Sequence, residues 1–177
     1  MRTQANLVII GAGIVGCSAA YHLTQLGWRD IIVVDQGPLF KTGGSTSHAP
    51  GLIFQTNASR LMCQMAQYTT RLLGHLSYEG EPCWYPVGGV EVATTEARRQ
   101  DLLRRQGLAT AYGLESHILS PSEVRDLIPI LDERVISSGY FVPSDGDTKG
   151  WQSAAALARL AMDSGGAEFH GETKVLD

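Results

Sequence analysis

The sequence predicts an α/β fold in which a βαβ unit with a parallel sheet opens the chain and a stretch of mixed strands and helices follows. Two short apolar runs, Leu7–Ile10 and Ile31–Val34, flank residues with helical periodicity. A glycine-rich turn joins the first run to that helix, and Asp35 closes the second. From Cys83 onward the pattern changes to prolines and alternating valines, which do not continue a parallel sheet.

Leu7-Val8-Ile9-Ile10 is continuously apolar and ends in glycine, as expected of a strand buried on both faces. Ile14, Val15, Ala19, Leu23 and Leu26 recur at helical spacing, and Gly27 is a stop signal. Ile31–Val34 is the second buried strand, reached by a right-handed crossover. A second helix does not follow, because Gln36 to Gly51 is rich in Gly, Pro, Ser and Thr and reads as an ordered loop. Helices are expected from about Asn57 to Leu76 and from Thr95 to Tyr112, with strands of a different sheet between Cys83 and Ala93. Ser120-Pro121-Ser122-Glu123 is a helix start, with proline at the first helical position. Trp151 to Met162 is an alanine-rich helix, followed by extended segments at 168–170 and 173–176. The predicted organisation is a dinucleotide-binding portion over 1–81, part of an inserted α+β substrate domain over 82–145, and a return to the first domain over 146–177. Three parallel strands are few for such a domain, so the sequence reads as a truncated fragment.

The chain has 177 residues, 44% hydrophobic and 18% charged, with a formal net charge of −4. That balance argues against a nucleic-acid or anionic-membrane partner. Three cysteines without a Cys-x-x-Cys spacing suggest a reducing compartment and no metal site. No apolar run approaches the ~20 residues of a membrane span, and the expected first strand leaves no room for a secretory leader. A cytoplasmic protein is expected.

Gly11-Ala12-Gly13-Ile14-Val15-Gly16 matches G-x-G-x-x-G between a strand and a helix, the fingerprint of a Rossmann-like dinucleotide site. The first glycine allows the tight turn, the second lets backbone approach a pyrophosphate, and the third permits close helix–strand packing. The helix N-terminus favours phosphate charge, and Asp35 can accept hydrogen bonds from ribose hydroxyls. NAD and FAD share this fingerprint. A Gly/Ser/Thr loop in place of further βα units favours FAD, because small residues and hydroxyls can lie along a long flavin dinucleotide. Within that loop, Gly43-Gly44-Ser45-Thr46-Ser47-His48-Ala49-Pro50-Gly51, His48 is a candidate nucleophile.

With these residues in place, the chain resembles the N-terminal part of the FAD-dependent amine oxidoreductases of the D-amino-acid oxidase superfamily. The likeness is to dimethylglycine oxidase and to the dimethylglycine and sarcosine dehydrogenases. It rests on Gly11 to Leu23, Val34 to Leu39, Gly43 to Asn57, Val87 to Glu96, Leu119-Ser120-Pro121 and Val142 to Gly146. The resemblance implies that the histidine of the Ser-Thr-x-His motif, here His48, carries FAD covalently through the 8α carbon, which a neutral imidazole nitrogen can attack. It further implies FAD contacts by Gly13, Ile14, Asp35, Gln36, Gly44, Ser45, Thr46, Ser47 and Leu52, and by the backbone of Val175. The implied substrate is a small N-methylated amine such as dimethylglycine or sarcosine, oxidised with flavin as acceptor; the alternatives are a flavoprotein of the same superfamily with another substrate and a non-catalytic truncated product. The substrate-facing residues of these enzymes lie beyond Asp177, so no catalytic residue is assigned within this stretch. An electron acceptor or the remaining part of the enzyme is the implied macromolecular partner.

His22, His75, His117 and His170 have no partners at ligand spacing. Asp145 and Asp147 read as a turn before a helix. Leu61, Met62, Met65 and Leu72 read as core, and so do Trp84 and Tyr85, which could otherwise line a pocket.

Overall fold

A computed structural model describes residues 4–40 and 44–176. The chain runs β1 (Leu7–Ile10), α1 (Ile14–Gln25), β2 (Ile31–Val34), α2 (Ser45–His48), β3 (Leu52–Ile53), α3 (Arg60–Gly74), β4 (Ser77–Tyr78) and β5 (Glu81–Pro82). It continues with β6 (Gly89–Ala93), α4 (Glu96–Ala111), β7 (His117–Leu119), α5 (Pro121–Leu127), β8 (Ser138–Val142), β9 (Gly146–Asp147), α6 (Gly150–Asp163) and β10 (Ala167–His170). Two compact units result: one holds 1–51, 75–83 and 148–177, the other 52–74 and 84–147. This division differs from the expected 1–81, 82–145 and 146–177 chiefly in grouping 52–74 with the second unit.

In the first unit β1, β2 and β10 form a parallel sheet with β2 in the centre. All four residues of β2 are buried, and removing side chains such as Ile31 and Val33 from water is worth about 1.5–3 kcal/mol each. Helix α6 packs against α1. The pairing suits their small buried residues, Gly16, Cys17 and Ala20 on α1 and Ala154, Ala155 and Ala158 on α6. Gly27, with φ of +89°, ends the first helix as its sequence position predicts.

Two expectations fail here. Strand β1 is not buried on both faces: it lies at the sheet edge, with Val8 53% and Ile10 71% exposed. Residues 173–176 form no strand. A backbone bond from Thr173 N–H to the Asp35 carbonyl (2.8 Å) holds the start of that segment instead.

The second unit is built on the antiparallel sheet β6-β8-β7, a sheet separate from the first, as the break at Cys83 predicts. Leu102 and Ala109 of α4 pack into its core with Tyr140 and Val142. Thr95 caps α4, its hydroxyl accepting from Arg98 N–H. Ser120 and Glu123 form a reciprocal capping box on α5, with Pro121 at the helix start. Helix α3 corrects another expectation. Its buried side chains are Cys63, Thr70 and Leu73, whereas Leu61, Met62 and Met65 are all more than half exposed and are not core. Trp84 is buried, in keeping with a packing role.

Candidate functional site

The glycine turn between β1 and α1 is the most tightly determined part of the first unit. Gly11 adopts φ of +102°, a conformation that favours glycine, and its N–H donates to the Val34 carbonyl (2.7 Å). A Cβ at Gly16 would meet the Gly11 carbonyl oxygen at 1.9 Å, so the third glycine is a packing requirement. Asp35 ties the turn to the next loop: its Oδ2 accepts from Ala12 N–H (2.8 Å) and its Oδ1 from Gly37 N–H (2.9 Å). Each carboxylate oxygen can accept a second bond, so capacity remains for a hydroxyl ligand. Burial, with the Asp35 charge assisting, pushes the Cys17 thiol up to about 12, which keeps it a neutral packing group.

The loop expected over Gln36 to Gly51 contains a four-residue helix, α2, formed by Ser45-Thr46-Ser47-His48 themselves. Lys41, Thr42 and Gly43 lie outside the described residues. Helix α1 begins at Gly13, which has no side chain to act as a cap. Thr46 substitutes: its Oγ1 accepts from Ile14 N–H at 2.9 Å. A Cβ at Gly13 would stand 2.9 Å from that same hydroxyl. The second glycine is therefore needed for the approach of α2 as well as for any ligand. Among the described residues, no backbone acceptor takes the N–H of Gly13, Val15 or Gly16. A helix start with free donors can hold an anion.

His48, at the end of α2, is exposed, and its Nδ1 lies 3.1 Å from the Gly44 carbonyl. A carbonyl only accepts, so Nδ1 carries the proton in this contact, and in the neutral ring the lone pair is then on Nε2. Ser47 donates from Oγ to the same carbonyl (2.9 Å). Ser45, Gln36 and Val175 are exposed, and Leu52 is exposed at the start of β3 in the second unit. The structure thus brings 11–16, Asp35 and Thr46 together through direct bonds, and Thr173 joins the chain leading to Val175 to Asp35.

In the second unit Asp145 is not the solvated turn residue its sequence context suggests. It is 2% exposed, and its Oδ1 accepts from both the backbone N–H (2.9 Å) and the side-chain Nε2 (3.1 Å) of Gln55. Desolvation raises its pKa to about 6 despite those two bonds, and the Glu91 charge adds to the rise. Nothing in the local sequence marks this pair, because its members are 90 residues apart. A separate cavity of ≈ 420 Å³ in this unit, lined by Thr56, Asn57, Asp101, Arg104, Arg105 and Leu108 among others, contains none of the expected site residues.

The model of a family described as FAD dependent oxidoreductase matches residues 6–177. The mitochondrial pyruvate dehydrogenase phosphatase regulatory subunit of Mus musculus is 33% identical over 99% of this chain and 20% of its own length. The mitochondrial sarcosine dehydrogenase of Homo sapiens is 32% identical over 93% of this chain and 18% of its own. The mitochondrial dimethylglycine dehydrogenase of Mus musculus is 30% identical over 93% and 19%. The chain thus spans about a fifth of the length of these curated relatives. Among solved structures, L-proline dehydrogenase from P. horikoshii superposes with a TM-score of 0.87 at 20% identity, covering 99% of this chain and 46% of that one. An L-α-glycerophosphate oxidase from Mycoplasma pneumoniae with FAD bound does so with a TM-score of 0.75 at 18% identity, covering 97% and 45%. These likenesses establish the α/β flavoprotein fold. One expectation is overturned: the three curated relatives above are named as mitochondrial proteins, so the cytoplasmic placement drawn from cysteine usage does not stand. A reducing environment is not specific to one compartment, and that reasoning could not discriminate.

Proposed function

Because this chain belongs to the FAD-dependent oxidoreductase family, we propose that it is the flavin-holding part of an enzyme that oxidises a small N-methylated amino acid, with FAD tethered to His48. The observation that carries this reading is the 2.9 Å bond from Ile14 N–H to Thr46 Oγ1, which seats the histidine-bearing helix on the glycine turn. The residues of the turn fit the group. Gly11 to Gly16 supply a side-chain-free approach, and the free N–H groups at the start of α1 are donors for a pyrophosphate. Asp35 has acceptor capacity left for ribose hydroxyls and disfavours a 2′-phosphate. Gln36, Gly44, Ser45, Ser47 and the Val175 backbone extend the proposed binding surface. The Gly44 carbonyl holds His48 with its proton on Nδ1, so Nε2 is the nitrogen offered for the tether. Bound FAD would supply the acceptor for two electrons and a hydrogen from a C–H beside the amine nitrogen.

Sarcosine and dimethylglycine dehydrogenases, both about 30% identical, support the substrate class. A second reading has its own support: the 33% identity to a phosphatase regulatory subunit extends over 99% of the chain, which suits a flavin-binding module with a regulatory rather than a catalytic task. The purified protein, loaded with FAD under anaerobic conditions, separates the two. Loss of the oxidised-flavin absorbance on adding sarcosine or dimethylglycine is the expected result. Stable FAD binding with no bleaching by any N-methylated amine would favour the regulatory reading, and no FAD binding at all would overturn both.

A further inference from the structure

The arm that leaves the histidine loop is secured by very little regular structure. Strand β3 pairs with β9 through two residues only, Leu52 with Asp147 and Ile53 with Gly146. Past that ladder, the fastening is the Asp145 carboxyl, whose Oδ1 takes both N–H donors of Gln55. Gln55 is itself 2% exposed, its Nε2 also reaches Ser144 Oγ (2.8 Å), and its Oε1 accepts from the Thr70 hydroxyl of α3 (3.3 Å). The Asp145 carboxyl is wedged against β6, where a Cβ on Gly89 would stand 2.9 Å from both its Cβ and Oδ2. No cation bonds to it among the described residues.

The titratable groups on the packed elements do not supply one. Glu91 of β6 is negative and is itself held by Arg105 of α4 at 2.8 and 2.9 Å. Tyr140 of β8 is committed to Thr56 Oγ1 (2.7 Å). Asp147 of β9 carries another carboxyl, whose Oδ1 is buried without a hydrogen-bond partner among the described residues. Cys63 of α3 is buried in the apolar core. Burial without a cation penalises the ionised carboxyl more than the two Gln55 donors favour it, and in the neutral form its carbonyl oxygen still accepts both. Once ionised, it gains by opening the two-residue ladder to water.

We propose that Asp145 is a proton-dependent latch on the Leu52–Gln55 arm, closed when its carboxyl is neutral and loosened when it ionises. Its ordinary value is 3.8 and burial raises it to about 6. Opening to a hydrated carboxylate should therefore become on the order of 100-fold more frequent between pH 4 and pH 7. The latch rests on groups of the second unit alone and is independent of whether flavin is attached at His48.

Amide hydrogen exchange of the wild-type protein across that pH range, corrected for the intrinsic chemical rate, reads the opening directly at Gln55 N–H. The expected result is a loss of Gln55 protection of about two orders of magnitude as pH rises. Gly11 N–H in the first unit should keep its protection, which separates local from global opening. Asp145→Asn, which retains the acceptor oxygen, should flatten the Gln55 profile. A wild-type profile as flat as that of the Asn variant would overturn the latch. Should the variant fail to fold, the carboxyl carbon shift of Asp145 in the wild-type chain decides: titration near pH 6 supports the proposal, and titration near pH 4 overturns it.

Discussion

The glycine turn of the first unit and the Asp145–Gln55 junction of the second each tie a carboxylate to backbone N–H groups, yet they behave as opposites. Asp35 is partly exposed and accepts from the N–H groups of Ala12 and Gly37. Asp145 is buried, accepts from a single residue, and is pushed up to about 6. What differs is burial: the Asp145 carboxyl is enclosed, and the loss of its hydration raises its pKa despite hydrogen bonds of similar length. The first arrangement suits a binding platform, with acceptor capacity to spare, and the second responds to pH.

The largest expected effect breaks the platform. Gly16→Ala places a Cβ 1.9 Å from the Gly11 carbonyl oxygen, a backbone atom that cannot move without undoing the turn. We expect a loss of at least about 3 kcal/mol in stability, together with loss of detectable FAD binding in a fluorescence titration. Unchanged affinity would mean the turn is not the binding platform.

The next effect sharpens the contrast through pH. Because the folded-state value of Asp145 lies above its unfolded one, its contribution to stability is complete below about pH 4 and is lost as pH rises through 6. A difference of about two units corresponds to about 3 kcal/mol. Denaturant melts of Asp145→Asn should therefore gain on wild type by up to that amount between pH 4 and pH 7, then run parallel to it.

Thr46→Val gives the smallest effect. It removes the acceptor for Ile14 N–H at the start of α1 and should cost about 1 kcal/mol, as the loss of a helix cap does. Thermal melts read this loss. FAD affinity should weaken with it, because the same bond seats the histidine helix.

Much of the first unit was legible because its determinants are local. Gly11 to Gly16 and Asp35 occupy a single βαβ unit, and the caps at Thr95 and Ser120 bond within three residues of themselves. Helix α2 was not legible, since four residues are too few to show helical periodicity. The edge position of β1 escaped because four consecutive apolar residues read alike in a central and an edge strand. On α3, Leu61, Met62 and Met65 form an apolar stripe that suggests a core face, while the buried face is carried by Cys63, Thr70 and Leu73. Asp145 looked like turn chemistry because Gly146 and Pro143 surround it in sequence; its partner is supplied by tertiary structure.

If, as proposed, the histidine helix delivers Nε2 of His48 to a flavin on the glycine turn, the tether is covalent and survives denaturation. Intact mass of the purified protein after acid precipitation in the presence of FAD tests it most directly. The expected result is a gain of one FAD per chain, with the yellow colour retained in the pellet, and complete loss of that gain in His48→Ala while reversible FAD binding persists. An unmodified mass in a wild-type protein that binds FAD reversibly, or a gain that survives His48→Ala, would contradict it.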